Sequence, residues 1–137
     1  MDAPIRILLT KPTHDCHDRG VRYLMRVLRD AGFEVVFTNF LVSDDVLSAA
    51  LQEDVDVIGI SSSAGGHMPV FEELMDGLRE REMTDVLVIG GGIIADSDAV
   101  RLREMGVGEI FGPGGSPADI EAFIRQHVRR QPGVAVR

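Results

Sequence analysis

Tryptophan is absent from this chain, and tyrosine and cysteine each occur once. So few aromatic platforms leave any large flat ligand to be held by backbone approach and aliphatic walls. The lone cysteine, Cys16, excludes an intramolecular disulfide framework. No run is long and apolar enough for a signal peptide or a membrane span, the N-terminal MDAPIRILLTK included. A reducing, cytoplasmic setting is the expectation. Positive charge is also scarce, with 14 basic residues against 22 acidic and a formal net charge of -8. That balance disfavours nucleic acid and anionic membranes as partners.

What is present suits one domain. A chain of 137 residues with 45% hydrophobic content buries enough surface for a single core. The expected division is a domain over 1–130 and a flexible tail over 131–137, the terminal RQPGVAVR being expected to fray.

Apolar runs alternate with helical patterns along the chain. Strands are expected at Ile5–Thr10, Phe33–Thr38, Val55–Ile60, Asp85–Ile89 and Glu109–Phe111. Helices are expected at Val21–Ala31 closed by Gly32, Ser43–Gln52 with Ser43 as N-cap, Val70–Glu82, Ser97–Met105 and Pro117–Arg129 with Ser116 as cap. Strands that are apolar throughout imply a parallel sheet covered on both faces. The expected fold is α/β, flavodoxin-like and doubly wound, with five strands in the order 2-1-3-4-5. Ligands bind such sheets beyond the carboxyl ends of the strands, where the order reverses.

Three segments leave those ends: Lys11 to Gly20 (KPTHDCHDRG), Ser61 to His67 (SSSAGGH) and Gly90 to Gly92. In the first, Asp15 stands two residues before His17 and Lys11 six before it. A carboxylate there can hydrogen-bond one imidazole nitrogen and leave the other free as a ligand, with Lys11 pairing the carboxylate.

Asp15-x-His17-x-x-Gly20, then Ser61, then a glycine pair after the fourth strand, resembles the cobalamin-binding domain of the mutases, and the resemblance spans nearly the whole chain. In that family, termed base-off/His-on, the dimethylbenzimidazole leaves cobalt, a protein histidine replaces it, and the nucleotide tail threads into the domain. The resemblance implies His17 as lower axial ligand of cobalt, Asp15 as its hydrogen-bond partner and Lys11 as the outer member of the relay. It further implies that Gly20 leaves room for the tail, Ser61 donates to a benzimidazole nitrogen, and Gly91 and Gly92 admit the ring where a side chain would collide. One position departs from the family pattern, since Ser63 stands where a leucine would form an apolar wall. That exchange loses contact worth roughly 1.5 to 3 kcal/mol, for which Phe40 or Met68 are the candidate compensators.

Other features read more plainly. His14, His67 and His127 are expected to be solvated or capping residues, Cys16 a bystander, and Glu72-Glu73 and Glu80-Arg81-Glu82 solvated helix faces. Ser61, Ser62 or Ser63 can equally cap the third helix. Gly112, Gly114 and Gly115 fit a tight turn.

The stretches HDRGV, LRDAGFEV, QEDVDVIGISS and VIGGGII look closer to acyl-CoA mutases than to amino-acid mutases. The resemblance implies adenosylcobalamin as cofactor and a separate, large, barrel-type subunit that binds the acyl-CoA substrate, a barrel of about 250 residues being too large for this chain. Methylmalonyl-, 2-hydroxyisobutyryl- and isobutyryl-CoA enzymes are the candidates, and split subunits favour the latter two or a related branched acyl-CoA mutase. No catalytic residue is expected on this chain alone. Two other classes compete. One is a non-catalytic cobalamin carrier or regulatory module; the other is a phosphoacceptor receiver domain, which needs an aspartate at the third strand's end, where Ser61 stands.

Overall fold

A computed structural model describes residues 4–12, 19–62, 67–112 and 116–128. Strands and helices alternate as β1 (Arg6–Pro12), α1 (Arg19–Asp30), β2 (Glu34–Phe40), α2 (Ser43–Glu53), β3 (Val57–Ser62), α3 (His67–Glu80), β4 (Leu87–Gly92), α4 (Asp96–Glu104), β5 (Glu109–Phe111) and α5 (Pro117–His127). The sheet is parallel in the order β2-β1-β3-β4-β5, as expected for a flavodoxin-like fold.

Alternation along the strands divides the core into two layers. Ile7, Leu9, Val57 and Ile89 pack with Val21 and Leu28 of α1 and Ile120 and Ile124 of α5. Leu8, Ile58, Ile60 and Val88 pack on the opposite face with Val46 and Leu47 of α2, Phe71, Leu74 and Leu78 of α3, and Leu102 of α4. Two helices therefore cover one face and three the other.

Several boundaries move from their sequence expectations, and one cap changes. Ser43 is the first residue of α2, and Val42 is its N-cap, without a side-chain cap bond. The free N–H groups before the helix are met from within it, where the Asp45 carboxylate accepts from Leu41 (2.9 Å) and Val42 (3.2 Å). Ser116 does cap α5, accepting from the Ala118 N–H at 3.1 Å. Strands β3 and β4 run two or three residues further than the apolar runs suggested, so Ser61, Ser62 and the Gly90–Gly92 triplet lie inside the sheet. Neither Ser61 nor Ser62 caps α3, which begins at His67.

Polar clasps hold the layers at two places. At the amino-terminal sheet edge Arg6 pairs with Glu34 (3.2 Å) and Glu53 (2.9 Å), and its backbone N–H donates to Asp56 at 2.9 Å. On the α1/α5 face, Arg125 donates to the Ala31 carbonyl at 2.8 Å and lies 4.5 Å over the Phe33 ring. The second clasp ties α5 to the turn that follows α1, fixing the separation of the two helices above the sheet.

Candidate functional site: a cavity between the sheet and helices α1 and α5

The sheet face toward α1 and α5 loses bulk toward its carboxyl end. On β3 the residues facing this layer shrink from Val57 to Gly59 and Ser61, and on β4 from Ile89 to Gly91. Above the small residues a cavity of about 670 Å³ opens, within the usual size range of small-molecule sites. Its walls are Leu9, Leu24, Ile89, Phe111 and Ile120, with Arg19, Gly20 and Tyr23 of α1 at one side. An edge-to-face contact with Phe123, at 5.8 Å between centroids, sets the Phe111 ring.

Ser61 lines this cavity, and no hydrogen bond ties its hydroxyl to another described residue. Ser62 points to the other face, is 1% exposed, and its hydroxyl has no partner among the described residues. One residue of register thus separates a hydroxyl available to a ligand from one sealed in the core.

The three glycines expected to contact a ligand differ in what the protein asks of them. A β-carbon on Gly20 would meet nothing within 4 Å among the described residues, so their packing does not explain its small size. One on Gly91 would lie 3.2 Å from the Phe111 carbonyl oxygen, projecting at the cavity wall. Gly92 is different: its φ is +110° and a β-carbon would come 2.1 Å from the Ser62 carbonyl oxygen. Backbone conformation already requires glycine there, whatever binds nearby.

Lys11 is the penultimate residue of β1, with its side chain buried, 6% exposed, and its Nζ 3.5 Å from the Pro12 carbonyl. It stands at the foot of the segment carrying Asp15 and His17, both of which lie outside the described residues, as does Ser63. Phe40 and Met68, the candidate compensators, pack in the layer of α2, α3 and α4, across the sheet from the cavity. The apolar wall comes instead from Leu9, Leu24, Phe111 and Ile120, none of which the strand-end motifs indicated. Gly59 was missed as well; an isolated glycine inside an apolar strand is the signal that marked it. His127 is exposed, stacks 4.0 Å from Phe123 and takes no part in the site.

Among the described residues no group of three or more His, Cys, Asp or Glu side chains is placed to hold a metal ion, and no helix is long and apolar enough to cross a membrane. The cavity suits a group with an aromatic or aliphatic body and one hydrogen-bonding atom. A displaced dimethylbenzimidazole is such a group, and the open space at Gly20 and the bare wall at Gly91 are where its nucleotide would need room. The residues present fit cobalamin.

Comparison with known proteins agrees. The B12 binding domain family model matches residues 5–126. The 2-hydroxyisobutanoyl-CoA mutase small subunit of Aquincola tertiaricarbonis is 41% identical over 127 residues, covering 92% of this chain and 93% of that protein. The pivalyl-CoA mutase small subunit of Xanthobacter autotrophicus is 42% identical over 118 residues, covering 85% of this chain and 79% of that protein. A crystal structure of a cobalamin-binding protein from Desulfitobacterium hafniense superposes with a TM-score of 0.72 at 18% identity, covering 88% of this chain and 59% of that one, a likeness of fold alone. The chain belongs to the B12-binding domain family and, within it, to the small subunits of acyl-CoA mutases.

Proposed function

We propose that this protein carries adenosylcobalamin for a mutase that rearranges a branched acyl-CoA such as 2-hydroxyisobutyryl-CoA, in assembly with a separate large subunit that binds the substrate. The observation that carries the reading is the aliphatic cavity between the sheet and helices α1 and α5, opening where the strand order reverses between β1 and β3. When bound, the cofactor supplies radical chemistry through homolysis of its cobalt–carbon bond.

The chain's own residues hold and orient. His17 would ligate the cobalt, Asp15 would accept a hydrogen bond from its other ring nitrogen and fix the tautomer, and Lys11 would pair with Asp15 from the end of β1. Ser61 donates to the displaced base, while Gly20 and Gly91 leave the volume that the nucleotide occupies. Ser63, two residues beyond Ser61, would stand where the family has its leucine. The groups that face the substrate would come from the large subunit, so the small one by itself would turn nothing over.

Two measurements test this. Electron paramagnetic resonance of the reduced cobalt state bound to the isolated protein should show a protein nitrogen ligand that His17→Ala abolishes. Mixed with a large subunit and adenosylcobalamin, the protein should isomerise a branched acyl-CoA, and alone it should not. Turnover without a second polypeptide, or a ligand signature indifferent to His17→Ala, would overturn the proposal.

A further inference from the structure

The cavity is lined almost throughout by uncharged groups, and among its described lining residues Arg19 bears the single charge. Arg19 opens α1, is exposed, and forms no ion pair or hydrogen bond with another described residue. It is adjacent to Gly20, where open space remains, and one turn from Tyr23, which is 59% exposed and lines the same cavity. The wider setting makes this cation distinctive. The chain has a net charge of -8, yet α1 (RGVRYLMRVLRD) holds four arginines and a single acidic residue, with no acid in its first turn. Helix α1 thus adds net positive charge to a molecule that is acidic as a whole, and Arg19 is its arginine that lines the cavity.

An apolar cavity bordered by one guanidinium without a partner among the described residues fits a ligand with an apolar body and one anionic group. The nucleotide tail of cobalamin has that composition, an uncharged benzimidazole riboside joined to the corrin side chain through a phosphodiester monoanion. Resting on the proposed cofactor, we infer that Arg19 binds the phosphodiester of the tail and thereby discriminates complete cobamides from corrinoids that lack the nucleotide. Guanidinium suits a tetrahedral oxyanion because its planar fork donates two parallel hydrogen bonds, which the lysine ammonium cannot match. Gly20 beside it keeps the approach open for the phosphate, and Ser61 meets the base at the cavity's sheet wall.

Binding of cobalamin and of cobinamide, which lacks the nucleotide and its phosphodiester, is to be compared for the whole protein and for Arg19→Ala, Arg19→Lys and Arg19→Glu. Arg19 is exposed, and unchanged circular dichroism of the variants confirms that they fold. Arg19→Ala should weaken cobalamin about tenfold, as expected for loss of one charge-assisted contact, and leave cobinamide within about twofold, a spread too small to count as an ionic contact. Arg19→Lys should restore part of the loss, and Arg19→Glu should deepen it. Raising salt should weaken cobalamin binding to the unaltered protein and leave that of Arg19→Ala nearly flat. Equal losses for both corrinoids, or cobalamin binding indifferent to all three substitutions, overturns the role of Arg19 and leaves the cofactor reading intact. Failure of the unaltered protein to bind cobalamin at all overturns both.

Discussion

A β-carbon on Gly92 would fall 2.1 Å from the carbonyl oxygen of Ser62, the same oxygen that accepts the Ile93 N–H at 2.9 Å. The last residues of β3 and β4 are joined at this point more closely than any side chain allows, and the φ of +110° at Gly92 makes the junction possible.

Gly92→Ala should therefore destabilise the fold by about 2 kcal/mol or more, from left-handed strain combined with the collision against backbone. Urea denaturation of the apoprotein measures it. An apoprotein as stable as the parent, with only cobalamin binding reduced, would return Gly92 to the ligand.

Gly20→Ala has the opposite expectation for stability. The position is helical, exposed and free of neighbours within 4 Å among the described residues, so alanine should stabilise the apoprotein by a few tenths to about 1 kcal/mol. Cobalamin affinity should fall in the same variant, because the added methyl stands where the tail passes. Unchanged affinity would show that the space at Gly20 is not used.

Gly91→Val places branched methyls at the cavity wall, beginning 3.2 Å from the Phe111 carbonyl. It should weaken cobalamin more than cobinamide, and the comparison between ligands corrects for any general loss of folded protein. Matching losses would take Gly91 out of the tail site.

Two carboxylates predict the acid limb of stability. Backbone N–H groups of Leu41 and Val42 hold Asp45 below the ordinary aspartate value of 3.8. At Glu109, burial pushes upward but is outweighed by hydrogen bonds from the Ile110 N–H and the Arg103 side chain, which hold it below 4.5. A folded pKa below the unfolded one gives stabilisation that is complete above the unfolded value and lost as pH falls through the folded one. Stability should thus decline below about pH 4.5, and less steeply in Asp45→Ala. Carboxyl titration by nuclear magnetic resonance should place both midpoints under their ordinary values; a midpoint at or above either would contradict the hydrogen bonding described.

The alternation of apolar strands and amphipathic helices, the order of the sheet and the segments at its carboxyl edge were legible in the sequence, because period and turn chemistry are local properties. Motif spacing also singled out Ser61, Gly20 and Gly91, and the structure brings these three to one cavity. The N-cap at Ser43 was misjudged because the acceptor is supplied from inside the helix by Asp45, a choice that depends on backbone geometry at Leu41 and Val42.

Sheet register and packing decided the rest. Extension of β3 to Ser62 and β4 to Gly92 determines that Ser61 faces the cavity while Ser62 is sealed against the other layer, and a shift of one residue would exchange them. Arg19 and Leu24 on α1 lie far along the chain from Phe111 on β5 and Ile120 on α5, and they share a wall only because α1 and α5 pack side by side over one sheet face. The sequence by itself determined which segments carry the chemistry, since each motif is contiguous. Only the tertiary structure determined what encloses it, because a cavity is defined by elements that meet across the fold.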